Sequence, residues 1–413
     1  MTARFLTDVR LIDPASGLDA PGHLLIEDGR IAAFGADVSC PDGIEPEDCG
    51  GRVLMPGLID MRSFAPDRKA AAAGGITTTV LQPNRTPPID NDAMIIRAAA
   101  NGGGNVRVRV MGAATRDLAG EAMAEIGLMA EAGAVAFTDG RSAVADSELM
   151  RRILEYAGMF GGLIVQHAED PSLANGGVMH EGEIATRLGL PAIPDTAEAI
   201  ILERDRHLVA LTGGRYHAAQ VSSARGLDVV RRAKVDGLAV SCGVSPHHLT
   251  LNETAIGDYR TFAKTSPPLR SEDDRRALVA GLADGTIDVI CSSHDPQDED
   301  AKRLPFSQAA DGVLGYQTML PLALALYHKG EAELMTVLKA MTSRPAELLG
   351  LDAGRLAADA PADLILVSLD APWQVDPDAL LSPTRNTPFE GMPVQGRVEE
   401  TLVAGRTVFK RPA

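Results

Sequence analysis

Several things are scarce in this sequence, and each scarcity excludes something. Cysteine occurs only at Cys40, Cys49, Cys242 and Cys291, far apart and with no CxxC spacing, so neither a disulfide framework nor a zinc ribbon is indicated. Cys242 and Cys291 fall inside strand-like runs and read as small buried apolar residues. Positive charge is short, with 39 Lys and Arg against 56 Asp and Glu and a net charge of −17. That balance excludes a nucleic-acid footprint or a basic membrane-surface patch and favours solubility. No apolar run is long enough to cross a bilayer, and the charged start MTARFLTDVRLID is not a signal peptide. The expectation is a cytoplasmic globular protein with no membrane and no nucleic-acid partner. What is present is ordinary core material, 45% hydrophobic and 23% charged over 413 residues, and nine histidines whose placement decides the functional question.

The two ends read alike. FLTDVRLIDPASGLDAPGHLLIEDGRIAAFG (5–35) is made of short β runs punctuated by Asp-Pro, Ser-Gly and Asp-Gly turns. APADLILVSLD (360–370) and VEETLVAGRTVFK (398–410) repeat the style. Neither end can bury a good core alone, so one composite β-sandwich built from 1–54 and 356–413 is expected. Between them, over 55–355, apolar β runs alternate with amphipathic stretches. Eight candidate strands fall at 57–62, 77–82, 106–112, 134–139, 163–167, 215–221, 238–244 and 287–293. Asp195 with Glu198 reads as a capping box for a helix ending at Gly213-Gly214, Ser271 with Asp274 reads as another, and 147–156 has helical spacing. QDEDAK (297–302) reads as an exposed loop. The glycines of NGGGN (101–105) and Gly74-Gly75 read as turns and helix ends, because no phosphate-loop lysine follows them. Eight βα units make this an α/β chain, a (β/α)8 TIM barrel carrying a composite β-sandwich.

In such barrels chemistry gathers at the C-terminal ends of the strands. Those ends carry Arg62-Ser63-Phe64, Gln82 and Asn84, Asp139, His167 with Glu169, Gln220 with Ser222, His247-His248, and Ser293-His294-Asp295. Around them stand MPGLIDM (55–61), AAAAGGITTTVLQPNRTPPID (70–90), GAVAFTDG (133–140), VQHAED (165–170), SPHHL (245–249) and SPPLRSEDDRRALVAGLADGTIDVI (266–290). SRPAELLGL (343–351) and GRLAADAPADLILV (354–367) follow. Together these motifs resemble class I dihydroorotases, cyclic amidohydrolases of the amidohydrolase superfamily, across nearly the whole chain. The resemblance implies the barrel and sandwich already read from pattern, and a reaction: reversible ring closure of N-carbamoyl-aspartate to dihydroorotate in pyrimidine biosynthesis.

The resemblance also implies a zinc site that polarises the amide and supplies hydroxide at neutral pH. Its ligands are a His-x-His after strand 1, an acid after strand 4, histidines after strands 5 and 6, and an Asp after strand 8 that doubles as base. Here the His-x-His positions hold Arg62 and Phe64, which have no lone pair to give a metal. Asp139 and His167 remain at the strand 4 and strand 5 positions. Gln220 replaces the strand 6 histidine, and His217, three residues earlier, falls on the opposite face. Ser293 replaces the strand 8 Asp, and Asp295 comes two residues late. Two surviving ligands are fewer than a catalytic zinc uses, so no metal is expected; if one binds, Asp139 and His167 would hold it. Arg62 is expected to replace the cation electrostatically and pair with Asp139.

On the substrate side, the family arginine after the His-x-His has no counterpart, because Phe64 runs through APDRK straight into an alanine-rich stretch and Arg68 is out of register. Asn84 matches a carboxylate-binding asparagine, Ser266 replaces a second one, and Gln297 stands where a histidine is expected. Against the sharper readings stand plainer ones. His167 reads as a pocket histidine held by Glu169 or Asp170, His247-His248 as structural, and His294-Asp295 as neighbours whose side chains point apart. The resulting expectation is an inactive dihydroorotase homologue, a structural partner of aspartate transcarbamoylase as the resemblance implies, with a homo-oligomer possible. The alternatives are an active cyclic amidohydrolase using Asp139, His167, His294 and Asp295, and a binding module holding an anionic metabolite with Asn84 and Arg62.

Overall fold

The structure, a computed structural model, describes residues 3–100 and 105–412; all of the NGGGN run except Asn105 lies outside the described residues. Parallel strands form a closed cylinder. Leu58–Ser63, Ile76–Leu81 and Arg107–Val110 are successive neighbours. Phe137 bridges Gly112 on one side and Ile164 on the other, which inserts a short fourth strand. Leu163–Gln166, Arg215–Ala218, Val240–Val244 and Val289–Ile290 continue in order. A parallel bridge from Ser63 to His294 and a hydrogen bond from Phe64 N to the His294 carbonyl shut the barrel. LIDMRS and ITTTVL are buried at every position, as strands covered on both faces must be. Where helix Arg68–Ala73 turns into the second strand, a Cβ on Gly74 would lie 2.2 Å from the Tyr316 carbonyl, so only glycine fits.

The helices between strands end where short-range chemistry ends them. Asp146 caps Ser147–Gly158 through the Leu149 N–H, Ser223 caps Ala224–Val235, and Ser271 with Asp274 forms the full capping box of Glu272–Ala283. The box expected at Asp195 does not form. The Thr196–Thr212 helix starts there, but Asp195 makes no cap hydrogen bond and turns to Arg225 at 3.1 Å. Glu198 is drawn inward to accept from the backbone and hydroxyls of Ser222 and Ser223, bonds that a terminal helical N–H cannot match. Nor is 297–302 a plain exposed loop: Asp298 caps a single turn, Glu299–Lys302, and Lys302 is buried, its ammonium donating to the carbonyls of Thr261 and Ala310.

Both ends of the chain contribute to one seven-stranded sheet. Its order is Arg406–Lys410, Pro393–Val403, Leu364–Gln374, Pro46–Pro56, Ala3–Asp13, Leu18–Glu27, Arg30–Gly35. All pairings are antiparallel except that of Ala3–Asp13 with Pro46–Pro56. The sheet folds over on itself. Ile31 near one edge and Leu402 near the other share a core with Leu11, Leu24, Leu54 and Leu364, and the Gly29 turn packs on the backbone of Ala404. Alternate residues Val53, Met55, Ile365 and Val367 face the other way and join the barrel's own core. Strand alternation thus gives each layer one face of the sheet.

Candidate functional site

The C-terminal strand ends converge on a cavity of about 120 Å³, walled in part by Arg62, Phe64, Arg141, His247, Ser266, Ser293 and Asp295. Its floor is charged. Arg62, only 3% exposed, ends the first strand and donates from Nη1 to the Gly140 carbonyl at 3.3 Å, while its Nε has no partner. Burial, opposed in part by Asp60 and Asp295, pulls its guanidinium down to about 10, so it remains a cation at neutral pH. Two guanidinium groups lie near the Phe64 ring, that of Arg141 3.9 Å and that of Arg62 5.1 Å from its centre. Arg141 also spans the mouth from the fourth strand to the eighth, holding Asp295 at 2.7 Å, and Asp295 accepts a second hydrogen bond from Gln297.

The expected pairing of Arg62 with Asp139 does not form. Asp139 accepts from the backbone N–H groups of Ala114 and Thr115 at 3.1 and 2.9 Å and from the Thr115 hydroxyl at 2.5 Å. Its two oxygens are consumed by the turn after the third strand, whose rigid N–H groups are nearer partners than a long guanidinium side chain. Arg62 reaches only the neighbouring main-chain carbonyl. Asn84 likewise spends its amide on the Asp139 carbonyl, packed against Gly140, where φ is +67° and a Cβ would strike the Asn84 oxygen at 1.7 Å. It is not on the cavity wall with Arg62.

The other strand-end residues form a polar network. Gln220 donates to the Ser245 hydroxyl and His248 Nδ1, both at 2.9 Å, and accepts from the Ser293 hydroxyl at 3.0 Å. His248 Nε2 lies 3.2 Å from the carbonyls of Pro267 and Pro268, and burial drives its pKa down to about 4. His247 packs beside it with ring centres 4.8 Å apart and lines the cavity. His217 is not part of this network: it bonds the Ser241 hydroxyl at 2.8 Å, and burial lowers it to about 4. His167 stands 3.4 Å from the Ser266 hydroxyl and 3.7 Å from Glu169; burial would raise Glu169, but His167 wins and holds it low. Asp170 instead caps the turn Pro171–Ala174.

His294 and Asp295 point apart: His294 stacks on Tyr316 at 3.9 Å with its Nε2 3.9 Å from Asp67, and burial takes it down to about 3. Asp139, His167, His294 and Asp295 therefore each have their own partners and do not make a common acid–base set. Arg141 and Asp311 are the charged wall residues that sequence reasoning missed. Arg141 was legible, as a charged residue two positions past a strand-end acid; Asp311 comes from an irregular loop with no signal.

The Dihydro-orotase-like family profile matches residues 51–225, and that of the Amidohydrolase family matches 183–409. Two proteins named dihydroorotase, from Anaplasma phagocytophilum and Pelobacter propionicus, are 40% and 41% identical to the chain. They cover 98% and 97% of it, over 94% and 98% of their own lengths. The chain belongs to the dihydroorotase family. Among solved structures, the L-hydantoinase of Arthrobacter aurescens aligns over 99% of this chain and 96% of its own, with a TM-score of 0.88 at 26% identity. The dihydropyrimidinase of Brevibacillus agri shares the fold, with a TM-score of 0.85 at 21% identity over 99% of this chain and 95% of its own. The barrel with a β-sandwich is the amidohydrolase architecture.

In this member of the dihydroorotase family, the residues at the mouth do not fit the zinc that the relationship implies. Arg62 and Phe64 have no lone pair to donate, and Asp139 is saturated by Ala114 and Thr115. Gln220 and Ser293 are bonded to each other. Among the described residues no three His, Cys, Asp or Glu side chains are grouped to hold a metal ion. Among the described residues His167 Nδ1 and His294 Nε2 are buried ring nitrogens without a hydrogen-bond partner, and the two histidines are not grouped with further ligands.

Proposed function

We propose that this chain is a dihydroorotase-family protein of pyrimidine biosynthesis that works without catalytic metal and without turnover, as a structural partner of aspartate transcarbamoylase. The observation that carries the reading is the buried Arg62 cation standing at a ligand position, with Asp139 turned away to Thr115. A metal ion placed there would meet a fixed positive charge in a poorly solvated site, and two ligands fall short of the three a catalytic zinc uses. The intact fold, at 40% identity to relatives over nearly its whole length, supports a role that needs shape rather than chemistry, such as assembly with the preceding enzyme of the pathway.

A second reading, an active dihydroorotase or other cyclic amidohydrolase with an atypical site, is favoured by the names those relatives carry. Elemental analysis of protein purified without chelator, together with dihydroorotate hydrolysis in the same preparation, separates the two. The expected result is zinc far below one per chain, no turnover, and co-elution with co-expressed aspartate transcarbamoylase. Stoichiometric zinc and a turnover abolished by His167→Ala or Asp295→Ala would establish the second reading instead.

A further inference from the structure

We propose that the barrel mouth is a binding site for a small monocarboxylate, held on Arg62 at the place where the family keeps its metal. The inference rests on the reading of the mouth as metal-free and adds a ligand to it. Of the cations around the cavity, Arg62 is the one without an ion pair among the described residues. Arg141 is paired with Asp295 at 2.7 Å, and Lys264 stands 4.0 Å from Asp311. Asp60, next to Arg62 in the chain, gives its carboxylate to the backbone N–H and hydroxyl of Ser292. Among the described residues Arg62 has no carboxylate within ion-pair distance; it has one hydrogen bond, to a carbonyl, and an Nε with nothing to donate to.

Asp60 and Asp295 act on Arg62 only from beyond ion-pair distance, a buried cation without a direct partner is expensive to hold, and a mobile anion can supply one. The cavity beside it, about 120 Å³, has the volume of about four water molecules, enough for a carboxylate and a short carbon chain. Carboxylate geometry matches the guanidinium fork, which donates two parallel hydrogen bonds to the carboxylate oxygens. The Ser266 hydroxyl, 3.4 Å from His167 Nε2, lies on the same wall and supplies a further polar contact. Phe64 closes one side with its ring and offers apolar surface to the short chain. Valence follows from the wall: one guanidinium without an ion pair, with Asp295 and Asp311 also lining the cavity, suits a monoanion and disfavours a dianion such as phosphate.

The test is calorimetric titration of the full-length protein, its metal content measured on the same batch, with acetate, propionate and inorganic phosphate. One acetate or propionate per chain is expected, with phosphate at least tenfold weaker. Arg62→Met is expected to weaken acetate at least tenfold without lowering the unfolding temperature, Arg62→Lys to restore part of the affinity, and Ser266→Ala to weaken it several-fold. Metal-free protein that takes up neither carboxylate overturns the site and leaves the metal-free reading standing, as does equal affinity in Arg62→Met and wild type. Acetate binding that disappears on chelation of a stoichiometric zinc overturns both.

Discussion

Asp139 accepts three hydrogen bonds from the Ala114–Thr115 turn, and those bonds determine what its removal does. Asp139→Ala leaves the buried Thr115 N–H and hydroxyl without their acceptor, while the Ala114 N–H keeps the Thr138 carbonyl, and we expect a loss of about 2–4 kcal/mol in urea unfolding. The same loss is expected with and without chelator, since the carboxylate serves the fold. His217 gives a pH signature of its own. Its folded pKa of about 4 lies below the unfolded value near 6.5, so between these values the unfolded chain carries the extra proton and acid favours unfolding. The stability that the neutral ring supports is complete above pH 6.5 and declines as pH falls towards 4, by on the order of 3 kcal/mol. Asp60, raised by burial to about 6, acts in the opposite direction over part of this window. The measurement is therefore a difference: His217→Asn, which can keep a hydrogen bond to Ser241, should flatten the fall of unfolding temperature between pH 6.5 and 4. An unchanged slope would show that the ring is not held neutral.

At the scale of elements, two acid-and-cap pairs that look alike in the sequence separate in the structure. Ser271 and Asp274 cap each other's helix end reciprocally, and Ser271→Ala should cost about 1 kcal/mol in chemical denaturation. Asp195 makes no cap bond and holds an exposed arginine and the hydroxyl of Thr196, so Asp195→Ala should stay within about 0.5 kcal/mol. A local pattern reports a cap only when nothing farther away competes for the acid, and at Glu198 the Ser222-Ser223 pair, more than twenty residues on, does compete. The same limit explains what could be read of the site. The replacements at 62, 64, 220 and 293 were plain in the sequence because each position follows a strand whose end is set by pattern. The partners those residues choose, such as Arg141 for Asp295 and Thr115 for Asp139, depend on side-chain reach across the mouth, which spacing along the chain does not encode.

Over the whole molecule the barrel was legible because eight apolar runs recur at βα spacing, and the shared sheet because neither end holds enough apolar surface by itself. The order of its strands was not legible. Leu364–Gln374 is inserted between Pro46–Pro56 and Pro393–Val403, so the sheet is complete only after the last segment has been made. Removing 356–413 would leave one edge of Pro46–Pro56 unpaired and uncover Val53 and Met55 on the barrel. The truncated chain is expected to be insoluble or to lose cooperative unfolding by circular dichroism, whereas an autonomous barrel would keep both.

Ser293 takes its place at the end of the eighth strand with φ at +49°. That backbone shape is uncommon for most side chains, yet aspartate and asparagine adopt it more readily than others. A mould of this kind can outlast the group it once shaped. Ser293→Asp should therefore be accommodated by the main chain more easily than Arg62→His, which would have to empty a buried cation from between a carbonyl and an aromatic ring. Any path by which this scaffold regained a metal would begin at the eighth strand, and the first strand would be the last barrier to fall.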